Sequence, residues 1–163
     1  MNRFQRSLAL AALATAAALP QAGGTIAADS TPGQAAASGA PAGAGVTYLS
    51  AAEVQAGFSH GAVLVDGGRY MVHASRREGA GQAEVHALDT DIIYVLEGSA
   101  TLVTGGAVVE GKGTSSNEIR GSSIAGGETR TLRKGDVIVV PNGTPHWFRE
   151  VDGPVLYYVV KVR

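Results

Sequence analysis

The sequence predicts an all-β protein with one short helix, and three observations favour this fold class. Its 163 residues include 23 glycines and few aromatic residues, a composition typical of short strands joined by tight turns. From Val46 onward, short apolar runs rich in β-branched residues alternate with turn-forming residues, which indicates about eight or nine strands. Ser50 and Glu53 have the spacing of a capping box and predict a helix that ends at about Ala56. A closed barrel or a two-sheet architecture follows.

The predicted strands follow from these apolar runs and from the turns between them. A hairpin is expected where residues 62–65 and 70–75 flank the turn at residues 66–68. The further predicted strands comprise residues 83–87, 92–96, 100–103, 129–132, 137–140, 146–150 and 155–162. Residues 105–128 lack apolar periodicity, and we interpret them as a long connection or a loosely ordered hairpin, which is either a surface insertion or a mobile lid over a barrel mouth.

Residues 1–27 have the features of a secretory signal peptide. Arg3 and Arg6 precede the apolar stretch Leu8 to Leu19, and small residues follow as far as Ala27. The apolar stretch is shorter than the ~20 residues that a membrane-spanning helix needs, so we expect no stable membrane insertion. We therefore expect an exported protein that is periplasmic or secreted.

The rest of the chain divides into a leader and one domain. Residues 28–45 contain mostly Ala, Gly, Ser and Pro, and this composition has too little apolar bulk to offset the entropy lost on ordering. They predict a flexible leader, and residues 46–163 predict one domain with its own core. Because 13 Lys and Arg nearly balance 14 Asp and Glu without a basic cluster, nucleic acid is not expected as a partner.

The first segment with metal-ligating residue types joins two predicted strands. Glu84 and His86 are two positions apart on one strand, so both side chains point to the same face. Asp91 begins the following strand, and a turn between the two strands would place its carboxylate beside His86. Nitrogen and oxygen ligands for one ion are thus available within a few residues.

A second such segment follows the predicted strand at residues 137–140. Two prolines and a glycine within residues 141–145 stiffen a corner that leads directly to His146. By strand alternation, Phe148 and Glu150 share the face of His146. Two imidazoles and one or two carboxylates could then converge inside a barrel.

The second segment resembles the second conserved motif of the cupin family. Gly135, Pro141, Gly143 and His146 have the spacing G-x5-P-x-G-x2-H of that motif. The motif usually ends in Asn, and Glu150 takes this last position here.

The first segment resembles the first cupin motif, G-x5-H-x-H-x3-4-E-x6-G, in an altered form. Residues 84–86 replace H-x-H, so that a glutamate stands at the first histidine position. Asp91 replaces the motif's glutamate and Gly98 its closing glycine, whereas the opening glycine has an approximate counterpart in Gly79 or Gly81.

The cupin resemblance extends over about residues 46–163 and implies a single jelly-roll β-barrel with one divalent metal ion inside. His86, Asp91 and His146 take the positions of family ligands. Glu84 is either a fourth ligand or a neighbour of the ion that does not bind it, and a degenerate site without metal is a third hypothesis. Nitrogen and oxygen ligands leave the ion open among Zn, Fe, Mn, Ni and Cu.

Two classes of function remain open, because the cupin family contains enzymes and non-enzymes on one scaffold. One is a metal-dependent enzyme of oxygenase, isomerase or lyase type, in which Glu84 or Glu150 moves a proton. The alternative is a non-catalytic module that binds or senses a small ligand. In both, the partner is a small molecule, and the resemblance also implies a homodimer.

Other polar residues of the strands allow two interpretations each. His73 could line the interior, whereas His60 lies in a loop. Arg76 and Arg77 are adjacent and therefore point to opposite faces of a strand. One of the two guanidinium groups could lie near an anionic ligand, or the pair marks an exposed strand end.

Overall fold

The computed structural model describes residues 45–163, most of which lie in β-strands. Its elements in chain order are α1 (Ala51–His60), β1 (Ala62–Asp66), β2 (Tyr70–Arg77), β3 (Ala83–His86), β4 (Thr90–Thr104), β5 (Ala107–Val109), β6 (Lys112–Ser115), β7 (Glu118–Gly121), β8 (Ser123–Ala125), β9 (Glu128–Arg133), β10 (Val137–Val140) and β11 (His146–Val162). The predicted signal peptide, residues 1–27, and the predicted leader up to residue 44 lie outside the described residues.

Nine of these strands form one antiparallel sheet that curls into a barrel, which confirms the all-β prediction. The two long strands β4 and β11 pair with each other at its centre. Strand β4 also pairs with β9 and β10, and β11 also pairs with β2 and β3. Within residues 45–163, no helix is long and apolar enough to cross a membrane.

Strands β4 and β11 are each longer than the sequence predicts. The turn expected at residues 97–98 lies inside β4, and β11 continues through residues 151–154. The two strands stay paired with each other on both sides of these points, because the pairing register shifts there and the strands do not end. Gly98 makes this possible: its φ of +81° favours glycine, and a Cβ there would collide with the carbonyl oxygen of Pro154.

Helix α1 begins at the predicted capping box and runs about one turn further than expected. Ser50 caps the first turn, and its hydroxyl and backbone amide both interact with Glu53. The helix ends at Gly61. Packing accounts for the extra length, because the buried ring of Phe58 lies edge-on against Tyr158 with ring centroids 5.1 Å apart.

Of the two interpretations of residues 105–128, the long connection is wrong, and a hairpin is present within the segment. The segment contains the four strands β5 to β8, of which β5 and β8 pair as a separate two-stranded sheet. Strands β6 and β7 form a hairpin, and β7 continues the main sheet by pairing with β3. Most side chains of this Gly-, Ser- and Thr-rich segment are exposed, and the strands within it are held by their paired backbone groups, so an apolar alternation is not needed.

The barrel interior is filled by an apolar cluster from its long strands. The buried members are Ile93, Val95, Ala100, Leu102, Leu132, Phe148, Val155, Tyr157 and Val159. Four of them, Ile93, Phe148, Tyr157 and Val159, also line an interior cavity. The core therefore forms one side of that cavity.

Candidate metal centre

The strand pairings bring the two ligand-bearing segments together. Glu84 of β3 is the direct cross-strand partner of His146 of β11. The corner before β11 is fastened to the end of β3, because the Gly143 amide donates to the carbonyl oxygen of His86 at 2.7 Å. The side-chain amide of Asn142 donates to the next carbonyl, that of Ala87, at 3.2 Å. The stiff corner predicted from the sequence thus sets the position of His146 relative to His86.

Two histidines and two carboxylates lie close together at this point. His86 Nε2 lies 3.6 Å from Glu84 Oε2 and 3.5 Å from Asp91 Oδ2. His146 Nε2 lies 3.8 Å from the same oxygen of Asp91, and the two imidazole centroids are 5.1 Å apart. Two ligand atoms that each lie about 2.1 Å from one tetrahedral ion are about 3.4 Å apart. The observed separations are only slightly larger.

His146 has the protonation state that metal binding requires. Its Nδ1 lies 3.2 Å from the carbonyl oxygen of Thr144. Since a carbonyl oxygen only accepts hydrogen bonds, Nδ1 carries the proton and the lone pair of Nε2 faces the other three side chains. Burial lowers the pKa of His146, which favours the neutral ring.

Asp91 is shared between the two histidines and a lysine. Lys161 Nζ donates to both carboxylate oxygens, at 2.8 and 2.9 Å, from the paired position on β11. Burial by itself raises the pKa of Asp91, but hydrogen bonds from His86 and Lys161 outweigh it, and the net pKa is lowered. The carboxylate is therefore ionised, and Lys161 competes with a metal ion for its oxygens.

Glu84 forms a candidate metal-binding group with the two histidines. One ligand atom from each of Glu84, His86 and His146 lies within 4.8 Å of the other two. The other carboxylate oxygen, Oε1, is 3.4 Å from Arg120 of β7, which also pairs with Glu118. This ion pair orients Glu84 from outside the cluster and leaves Oε2 directed at His86.

Glu150 does not reach the cluster, and the expectation that it shares the face of His146 is wrong. The register of β11 shifts between Phe148 and Glu150, so one extra residue interrupts the alternation. The Glu150 side chain is 67% exposed and pairs with the neighbouring Arg149. His60, at the end of α1, is exposed as well.

An interior cavity of about 170 Å³ adjoins the cluster. Its lining consists of His73, Ser75, Arg77, Gln82, Glu84, Asp91, Ile93, His146, Phe148, Tyr157, Val159 and Lys161. His73 therefore lines the interior, and burial together with the charge of Lys161 lowers its pKa. Lys161 was not singled out by the sequence analysis. The sequence does contain a pattern that could have identified it: Lys161 is a cation at the alternate position after Tyr157 and Val159, so all three side chains share the inward face of the strand.

A curled, barrel-like β-sheet that brings two histidines and two carboxylates together beside an interior cavity is the arrangement of a small barrel protein with a candidate metal centre. The chain belongs to the cupin family: the family model described as Cupin matches residues 61–162. This match confirms the resemblance that the two sequence motifs indicate.

Solved structures with this fold share little sequence with the chain. Protein BH2720 from Bacillus halodurans is 13% identical with a TM-score of 0.52, and the match covers 75% of this chain and 84% of that one. Hydroquinone 1,2-dioxygenase from Sphingomonas sp. TTNP3, solved with 4-hydroxybenzoate bound, is 16% identical with a TM-score of 0.47. That match covers 62% of this chain and 64% of the dioxygenase, which is less than two thirds of its length. No match was found among curated proteins.

Proposed function

We propose that this protein is an exported cupin that binds one divalent metal ion through His86, His146 and Glu84 and holds a small organic molecule against it. One observation carries the proposal: the ligand atoms of these three side chains lie within 4.8 Å of one another, and two of the residues, Glu84 and His146, line an interior cavity. Asp91 is the fourth donor in reach once Lys161 releases one of its oxygens.

The donor set suits several divalent ions. Two imidazole nitrogens and one or two carboxylate oxygens are compatible with Zn, Fe, Mn, Ni and Cu, and the general affinity order favours Cu and Zn. A bound ion would supply a Lewis acid that polarises a carbonyl or carboxylate group of the ligand. Two carboxylates beside it offset its charge and weaken that effect.

Metal analysis tests this function directly. Full-length protein, purified and then equilibrated in turn with each of the five ions, should retain about one ion per chain in this four-donor site. His86→Ala should lose the ion, whereas His60→Ala should retain it, because His60 is exposed and remote from the cluster. Wild-type protein that retains none of the five ions would contradict the proposal.

A metal-dependent enzyme is the first form of this function. The cavity reaches the ligand atoms, so a small molecule inside it can contact both the ion and the polar side chains. Glu84, when it does not bind the ion, is placed to move a proton. Glu150 has no such part, since its side chain is exposed on another surface.

A non-catalytic binding or sensing module is the second candidate, and the Asp91–Lys161 ion pair favours it. Lys161 holds both oxygens of Asp91, so this carboxylate has a structural partner and is less available as a metal ligand or a proton carrier. Turnover separates the two candidates: the metal-loaded enzyme would convert small organic acids or consume oxygen at a rate that His86→Ala abolishes. Ligand binding without turnover by metal-loaded protein would favour the module.

Export and self-association are further parts of the proposal. Export follows from the predicted signal peptide, so deletion of residues 1–27 should keep the protein in the cytoplasm on cell fractionation. A homodimer is supported by exposed apolar side chains on the paired strands β4 and β10, where Tyr94 lies opposite Val137 and Ile92 opposite Val139. Val139→Asp should convert a dimer into a monomer in analytical ultracentrifugation.

A further inference from the structure

The guanidinium group of Arg77 lines the interior cavity without a carboxylate partner. Among residues 45–163, no Asp or Glu oxygen lies within 4.0 Å of it. Its Nε donates to the hydroxyl of Tyr157 at 3.3 Å, and its central carbon lies 4.8 Å from the ring centroid of Phe148. The terminal nitrogens therefore carry a charge that these neutral neighbours do not compensate.

The other charged groups of the cavity already have partners. Lys161 pairs with Asp91, and Glu84 pairs with Arg120. Adjacent Arg76 points the other way, is exposed, and pairs with Glu78. Arg77 is thus the uncompensated cation of the cavity.

The backbone at Gly81 lies directly against the guanidinium group of Arg77. A Cβ at Gly81 would lie 2.5 Å from Nη1 of Arg77, so only glycine permits this approach. Gly81 is itself fixed, because its amide donates to the carbonyl oxygen of Phe148 and its carbonyl accepts from Trp147, both at 2.8 Å. A guanidinium held between an aromatic face and a fixed backbone loses little freedom when it binds an anion.

We infer that Arg77 binds the carboxylate of the small molecule in the cavity, and that this molecule is an organic monocarboxylate with an apolar body. The inference rests on the proposed function, since it names the ligand class of the same site. A guanidinium offers two parallel N–H groups that match a carboxylate, and the amide of Gln82 is available on the same wall. Phe148, Tyr157 and Val159 would enclose the body of the ligand.

The volume of the cavity suits a small carboxylate. Its volume of about 170 Å³ is below the roughly 300–1,000 Å³ of sites for drug-sized ligands. A single-ring acid such as benzoate combines the required charge, an apolar body and a small volume. Benzamide has nearly the same shape and no charge, which makes it the matched neutral probe.

Isothermal titration calorimetry with benzoate and benzamide tests the inference. Full-length wild-type protein should bind benzoate more tightly than benzamide, and Arg77→Gln should weaken benzoate binding about 10- to 100-fold, as expected for a hydrogen bond to a charged group. Arg76→Gln is the matched control and should bind benzoate like the wild type. Arg77→Lys should keep the preference for benzoate at reduced affinity, because it retains the charge without the two parallel N–H groups.

The outcomes of this experiment are separable from those of the metal analysis. Equal affinity for both probes, no benzoate binding at millimolar concentration, or unchanged binding in Arg77→Gln would overturn the carboxylate subsite. The titrations are done on metal-loaded and on chelator-treated samples of known metal content. Metal retention without benzoate preference contradicts the subsite alone, and benzoate preference in protein that retains no metal contradicts the proposed function alone.

Discussion

Replacement of Lys161 by Met tests how the Asp91–Lys161 ion pair is coupled to metal binding. Both oxygens of Asp91 accept hydrogen bonds from Lys161, and Asp91 is only 4% exposed. Met has nearly the length of Lys and lacks its charge. In the metal-free variant, the carboxylate would therefore stay buried beside the two imidazoles without the charge of Lys161.

The stability that Lys161→Met loses follows from the burial of the two ion-pair partners. Removal of one partner from a fully buried ion pair costs about 3–5 kcal/mol. Because the Lys161 side chain is 20% exposed, we expect a smaller loss, about 2–3 kcal/mol. For a domain of this size, that loss lowers the Tm of metal-free protein by about 10 °C.

A metal ion would restore a positive charge beside Asp91 and so reduce this loss. If the metal-bound variant loses about 1–2 kcal/mol less than the metal-free variant, its metal affinity rises roughly 5- to 30-fold. Differential scanning calorimetry with and without metal measures both effects, and Lys112→Met, at an exposed lysine of β6, is the control. A metal-induced rise in Tm that is equal or smaller in Lys161→Met than in the wild type would refute the reasoning.

Two further predictions concern pH and the bend of the barrel strands. Burial lowers the pKa of His146, so the unfolded chain binds protons more readily, and metal-free protein should lose stability as the pH falls below about 6.5. Urea titrations at neutral and mildly acidic pH should show a smaller loss for His146→Gln, and equal losses would contradict this origin. Gly98→Ala should cost about 1–3 kcal/mol, because φ is +81° and the new methyl group meets the carbonyl oxygen of Pro154. Gly68→Ala has a similar φ of +74° and open space around it, so it should cost less in the same urea titration, and equal costs would argue against the collision.

The sequence predicts the positions of the four cluster residues because local rules determine them. Two-residue alternation orients Glu84 and His86, and the proline- and glycine-containing corner positions His146. The prediction for Glu150 is wrong because it uses the same rule of alternation. A register shift before Glu150 interrupts that alternation. Such a shift depends on the pairing partner, which a local pattern does not contain.

Two other features depend on contacts that are distant in sequence. Lys161 forms an ion pair with Asp91, which is 70 residues away and is brought opposite it by the pairing of β4 and β11. The strands within residues 105–128 are ordered by backbone pairing with each other and with β3. This pairing leaves no apolar periodicity in the sequence from which it could be predicted. Local patterns therefore predicted the fold class and the histidine cluster, whereas long-range pairing determined the cavity wall.

The position of the ion is the most direct test of the proposed metal centre. A crystal structure of metal-loaded protein, with the ion located by anomalous scattering, should place one ion about 2.0–2.2 Å from His86 Nε2, His146 Nε2 and a Glu84 oxygen. In crystals of His86→Ala grown under the same conditions, this peak should be absent. An ion bound only elsewhere on the chain, or no ion in wild-type crystals at saturating metal, would contradict the account.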